Sequence, residues 1–129
     1  MKIISIINQK GGVGKTTTVI NLASALSQNE KKILVIDLDP QGNATTGLGL
    51  SNTSQSDQTI YGVLNGTTSI SNTIKKTNFQ NLDLISSNVD LSGLEVETAG
   101  DNDRAFILKA KLSTYLNDSG GLYDYILID

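Results

Sequence analysis

The sequence predicts an α/β fold, a doubly wound and mainly parallel sheet with helices on its faces. Three observations carry that prediction. Short aliphatic runs recur along the chain, bounded by polar or glycine-rich residues. The runs are continuous rather than alternating, as in parallel strands covered on both sides. A helical pattern separates the first two, and strand–helix–strand alternation implies right-handed crossovers.

Residues 2–8, rich in isoleucine, are the first expected strand, and a glycine-rich stretch follows directly. Val19, Leu22, Ala23 and Leu26 then recur at spacings of three and four, the mark of a helix with one apolar face. Residues 32–37 are the second strand. Residues 43–57, rich in Gly, Ser, Thr and Asn, read as a mobile loop. Ile60, Val63 and Leu64 suggest a short helix, and Leu91, Leu94 and Val96 another. Between these two lies the third strand, residues 81–86.

A second long helix is expected from about Asp103 to Leu116, with Leu108, Leu112, Tyr115 and Leu116 on one face. Asp103 is its expected cap, and Gly120-Gly121 follows its end. Residues 124–129 form the last strand, with no helix after them. A parallel sheet ending on an uncovered strand leaves apolar surface and an open edge. The favoured expectation is therefore that residues 1–129 are the amino-terminal portion of one domain, truncated after this strand.

Composition narrows the chemistry. A chain of 129 residues is one domain at most. It has no cysteine and no histidine, which excludes disulfides, thiolate zinc sites, iron–sulfur ligation and histidine-based nucleophilic catalysis within it. The formal charge is −3, and the pairs Lys31-Lys32 and Lys75-Lys76 read as solvated helix ends or loops. No clustered basic face for nucleic acid is visible. No apolar run approaches the ~20 residues of a membrane span. The amino terminus lacks the small-residue cleavage site of a signal peptide, so a cytoplasmic protein is expected.

The strongest local signal is Gln9-Lys10-Gly11-Gly12-Val13-Gly14-Lys15-Thr16-Thr17, between a strand and a helix. Small residues let successive backbone N–H groups turn inward around a phosphate chain, and the helix adds its positive end. Lys15 would reach the β- and γ-phosphates, and the Thr16 hydroxyl would hold Mg²⁺. The ordinary pattern needs glycine at position 9, where Gln9 stands, and Lys10 is an extra cation inside the loop.

Two further segments carry carboxylates to strand ends. Val35-Ile36-Asp37-Leu38-Asp39-Pro40-Gln41-Gly42-Asn43-Ala44-Thr45 follows the second strand, and by itself it reads equally well as a turn. In Tyr123-Asp124-Tyr125-Ile126-Leu127-Ile128-Asp129, hydrophobic residues lead to Asp129, placed to hold a magnesium-bound water. Loop, turn and Asp129 would all lie at the carboxyl ends of parallel strands, where open α/β sheets bind ligands.

The loop resembles the "signature lysine" form, KGGVGKT, of the ParA/MinD family of P-loop ATPases. Residues 37–45 resemble the switch I segment of ParA and Soj proteins, and the last strand has the form of a Walker B strand. The resemblance implies ATP and Mg²⁺ as cofactors. It implies nucleotide contacts from Lys10, Gly11, Gly12, Val13, Gly14, Lys15, Thr16 and Thr17, and magnesium organised by Thr16, Asp37 and Asp129. Lys10, Lys15 and Asp39 would be catalytic, with Asp39 orienting the attacking water and Lys10 reaching the phosphates of a partner subunit. A slowly hydrolysing switch for chromosome or plasmid partitioning follows, working as an ATP-sandwich homodimer with a ParB-like partner. Non-specific DNA would bind through a carboxyl-terminal half that is not here, on the nucleoid and with no membrane involved. The alternatives are another MinD-like ATPase, or a nucleotide-binding or assembly fragment without catalysis.

Overall fold

Ile33, Leu34, Val35 and Ile36 are all wholly buried, and they anchor the centre of the sheet. The computed structural model describes the backbone of residues 1–129 and the side chains of all but Glu95 and Arg104. Among the described residues the strands are β1 (Lys2–Ser5), β2 (Ile33–Ile36), β3 (Ile74–Lys76), β4 (Leu82–Ile85) and β5 (Tyr125–Ile128). The helices are α1 (Lys15–Gln28), α2 (Asn43–Gly47), α3 (Ile60–Leu64), α4 (Ile70–Thr73), α5 (Leu94–Glu97) and α6 (Ile107–Ser119). The sheet order is β1-β5-β2-β4-β3. All pairings are parallel except β3 with β4.

Alternate residues of the central strands feed two separate cores, because successive side chains point to opposite faces. Ile33, Val35, Leu82, Leu84 and Leu127 pack with Val19 and Ala23 of α1 and with Leu48. Leu34, Ile36, Ile85 and Ile126 pack with Ile60 and Val63 of α3, Ile70 of α4, and Leu112 and Tyr115 of α6. Burying an aliphatic side chain fully is worth about 1.5–3 kcal/mol, so β2, covered on both faces, contributes more than its length suggests. The doubly wound arrangement is the one expected from the sequence.

Several expectations need correction. The uncovered edge lies on β1, whereas β5 sits between β1 and β2. Ile3 is accordingly 45% exposed, although its sequence context matches that of a buried strand. The stretch 43–57 is not a continuous loop, since it holds α2 and the 3-10 turn Ser56–Gln58. A short helix of small polar residues needs tertiary hydrogen bonds to persist.

Lys75 and Lys76 lie on β3 and not in a loop or helix end. Lys75 Nζ donates to Ser54 Oγ and Ser86 Oγ, both at 2.9 Å, and Lys76 Nζ meets Asp83 Oδ2 at 2.9 Å. Asp103 does not cap α6 with its side chain. Its carbonyl accepts from the Phe106 N–H at 2.8 Å, in a 3-10 turn, and α6 starts at Ile107 without a side-chain cap. At the far end Gly120 takes the left-handed conformation expected of a helix stop.

Gly62 lies within α3, packed on the 3-10 turn before it. A Cβ there would stand 2.7 Å from the Ser56 carbonyl oxygen and 2.9 Å from Asp57 Cα. Alanine's helix propensity favours the substitution by about 1 kcal/mol, but overpacking against backbone costs about 1–3 kcal/mol. The Ser56 and Asp57 atoms are both backbone and cannot swing aside, which puts the cost toward its upper end. Gly62→Ala is therefore expected to lower stability by a net of about 1–2 kcal/mol, read as a lower urea midpoint. An unchanged or higher midpoint would contradict this packing.

Candidate nucleotide-binding site

Parallel register brings the carboxyl ends of β1, β2 and β5 together. The Ile6 N–H donates to the Ile128 carbonyl, the Asp129 N–H to that of Ile36, and the Leu38 N–H to that of Asp129, each at 2.9 Å. The glycine-rich loop therefore leaves β1 beside Asp129, and the segment after β2 leaves on its other side.

The loop is built to stay open. Asn8 Oδ1 accepts the Lys10 N–H at 2.9 Å, which turns the chain at its start. Gly12 and Gly14 hold φ of 73° and 87°, a region costly to other residues. A Cβ at Gly11, Gly12 or Gly14 would meet nothing within 4 Å. The same glycines help line a cavity of about 560 Å³, formed by residues 8–17 with Asp39 and Asn43. Gly14 opens α1, and no side chain caps that helix. Its first N–H groups and its positive end are free for an anion.

Beside the cavity Asp129 holds two of the predicted residues at once. Lys15 Nζ meets its Oδ1 at 2.7 Å, and the Thr16 hydroxyl donates to its Oδ2 at 2.9 Å. The Asp129 side chain is fully buried and that of Lys15 is 25% exposed. Hydroxyl and carboxylate converge beside the loop, with Lys15 and Thr16 lining its cavity. That donor set suits Mg²⁺, which usually keeps several waters and takes one or two carboxylates plus substrate phosphates. Among the described residues no cluster of three or more acidic side chains forms a complete protein cage for a metal.

Asp37 stands apart from this clamp. It is wholly buried, and both of its oxygens are occupied by protein donors. Oδ1 accepts the Asp39 N–H at 3.0 Å, while Oδ2 accepts the Thr45 N–H at 2.8 Å and the Thr45 hydroxyl at 2.6 Å. Burial raises its pKa above the usual carboxylate value, and those hydrogen bonds pull the other way. Asp39 faces the cavity, its Oδ1 accepting the Gln41 N–H at 2.9 Å. Lys10, Val13 and Thr17 are exposed along the loop.

Sequence reasoning missed three residues here. Asn8 had a readable signal, an Asx-type turn two residues ahead of Lys10. Thr45 and Ser87, whose N–H donates to the Thr45 hydroxyl at 3.1 Å, had none, because their contact joins segments 42 residues apart. A second cavity of about 530 Å³ lies at the other end of the strands, lined by Lys32, Lys76, Phe79 and Tyr123 among others. Size does not separate the two. Only the first combines a glycine loop with an uncapped helix start.

Comparison with known proteins agrees with this geometry. A family model described as an AAA domain matches residues 1–129. The chromosome partitioning protein ParA of Caulobacter vibrioides is 43% identical over 129 residues, covering 100% of this chain and 47% of that protein. The sporulation initiation inhibitor protein Soj of Bacillus subtilis is 43% identical over 128 residues, covering 99% and 49%. Among solved structures, cobyrinic acid a,c-diamide synthase from Mycobacterium smegmatis, with bound ATP analog and magnesium, superposes with a TM-score of 0.89 at 32% identity. That match covers 100% of this chain and 50% of the synthase. The chain spans about half the length of the curated relatives it matches. It belongs to the AAA domain family, among sequences of the ParA/Soj type.

Proposed function

We propose that this chain binds Mg-ATP and provides the phosphate-binding and water-positioning part of a slowly hydrolysing partition ATPase of the ParA type. The observation that carries the reading is the open glycine loop at the uncapped start of α1, with the Lys15–Asp129–Thr16 clamp at its side. When bound, ATP supplies the phosphoric anhydride and Mg²⁺ neutralises charge developing on its phosphates. The residues around them bind and orient.

Backbone N–H groups from Gly11 to Thr17 would face the phosphates, the Lys10 N–H being taken by Asn8 Oδ1. Lys15 would hold a phosphate oxygen, and the Asp129 carboxylate with the Thr16 hydroxyl would hold the metal. Asp37 acts from behind, keeping the segment that carries Asp39 in place. Asp39 accepts a hydrogen bond from the attacking water. Lys10, exposed on the loop, reaches the phosphates of a second subunit in an ATP-bridged homodimer. A ParB-like partner and non-specific DNA belong to the whole protein's cycle, in the cytoplasm on the nucleoid. The similarity to ParA and Soj supports partitioning. Among the described residues, no helix is long and apolar enough to cross a membrane.

The test is Mg-ATP affinity and phosphate release by the 129-residue chain and its variants. Lys15→Ala removes a charged partner of the phosphates, worth about 2 kcal/mol or more, so affinity should fall at least about thirtyfold. Asp39→Ala is expected to keep binding and lose about a hundredfold in turnover, as for a removed general base. Lys10→Ala should bind nucleotide yet lose about a thousandfold of dimer-dependent turnover, by analogy with an arginine finger. Equal affinity in wild type and Lys15→Ala would refute the cradle, and normal turnover in Asp39→Ala would refute that residue's role.

The cradle also makes a prediction about stability. Gly14→Ala meets no atom but must hold a left-handed φ, so it should cost about 1–2 kcal/mol. Gly11→Ala lacks that strain and should stay within about 0.5 kcal/mol of wild type. Chemical unfolding of both variants checks the contrast.

A further inference from the structure

We propose that Thr45 is a positioning residue for hydrolysis, its hydroxyl clasping Asp37 to the end of β4 and so fixing the backbone that presents Asp39. The proposal rests on the reading of Asp39 given above and extends it to a residue that touches no ligand. Thr45 is wholly buried. Its hydroxyl donates to Asp37 Oδ2 at 2.6 Å and accepts the Ser87 N–H at 3.1 Å. Its own N–H donates to the same carboxylate oxygen at 2.8 Å.

The direction of these bonds is forced. A backbone N–H can only donate and an ionised carboxylate can only accept, so the hydroxyl accepts from Ser87 and turns its proton to Asp37. Three segments thereby meet at one oxygen atom: the end of β2, helix α2, and the chain leaving β4. On the far side of the carboxylate, Asp37 Oδ1 accepts the Asp39 N–H at 3.0 Å. The Asp39 carbonyl in turn accepts the Gly42 N–H at 2.8 Å, closing the turn. Asp37 can therefore hold Asp39 no more firmly than it is itself held. Loss of the hydroxyl leaves the Ser87 N–H unpaired in the interior and removes one of the donors on Asp37. Val fills the same space without either bond, and Ser keeps both without the methyl.

The test uses the 129-residue chain as wild type, Thr45→Val, Thr45→Ser and Asp39→Ala. Mg-ATP affinity, single-turnover phosphate release and amide hydrogen exchange at Asp39 and Thr45 are measured for each. Thr45→Val should bind Mg-ATP within about threefold of wild type, lose turnover at least about tenfold, and exchange both amides at least about tenfold faster. Thr45→Ser should stay within about threefold of wild type in all three. Should Thr45→Val fail to fold, Thr45→Cys, a weaker hydrogen-bonding group, replaces it with the same direction of effect.

Wild-type turnover in Thr45→Val overturns the proposal while leaving the ATPase reading intact. Equal loss in Thr45→Ser and Thr45→Val also overturns it, because the methyl and not the hydroxyl would then matter. If wild type turns over no faster than Asp39→Ala, the reading of Asp39 as the water-positioning group of this chain fails. Exchange then decides the clasp alone: faster exchange in Thr45→Val upholds it, and unchanged exchange removes it.

Discussion

The seating of β5 between β1 and β2 is the constraint on which the site depends. Its four residues pair in register with Lys2–Ser5 on one side and Ile33–Ile36 on the other. Without it the sheet would be divided, because β1 hydrogen-bonds to no other strand. The same ladder runs on past the strand ends, from Ile6 to Ile128 and from Leu38 to Asp129. A backbone constraint thus places the glycine loop and the Asp37–Asp39 turn on either side of one carboxylate. Lys2 pairs with Tyr125 across nearly the whole chain. Such long-range parallel pairing costs loop-closure entropy before it returns contacts.

Much of this was legible in the sequence, for physical reasons. Ile33–Ile36 must be buried on both faces, and four consecutive aliphatic residues say so. The loop's glycines and its Lys15-Thr16 pair are local chemistry, because the contacts they prepare are made largely by backbone within a few residues. What was not legible depends on distant neighbours. The strand β3 has no apolar run; it pairs antiparallel with β4, where Lys75 finds Ser54 and Ser86 and Lys76 finds Asp83. Burial in that setting lowers the pKa of the Lys75 amine, which a solvated lysine pair would not show. The edge position of β1 was invisible for the same reason. Its residues resemble those of β2, and only strand order separates an exposed Ile3 from a buried Ile33.

The two carboxylates beside the cradle illustrate how environment divides labour between like groups. Asp37 and Asp129 both end apolar strands, both are buried, and the family resemblance assigned both to magnesium. Asp37 is held by neutral donors from its own neighbourhood, the Asp39 N–H and the N–H and hydroxyl of Thr45. Removing any of them would leave a buried carboxylate short of a donor, which ties Asp37 to the segment around it. The partners of Asp129 are Lys15 and the Thr16 hydroxyl, the groups that a phosphate and a metal would engage. Every bond Asp129 would surrender on nucleotide binding has a replacement within the incoming ligand. Asp37 has no such replacement. That asymmetry makes Asp129 the exchangeable member of the pair, and it leaves Asp37 as the fixed point from which Asp39 is presented.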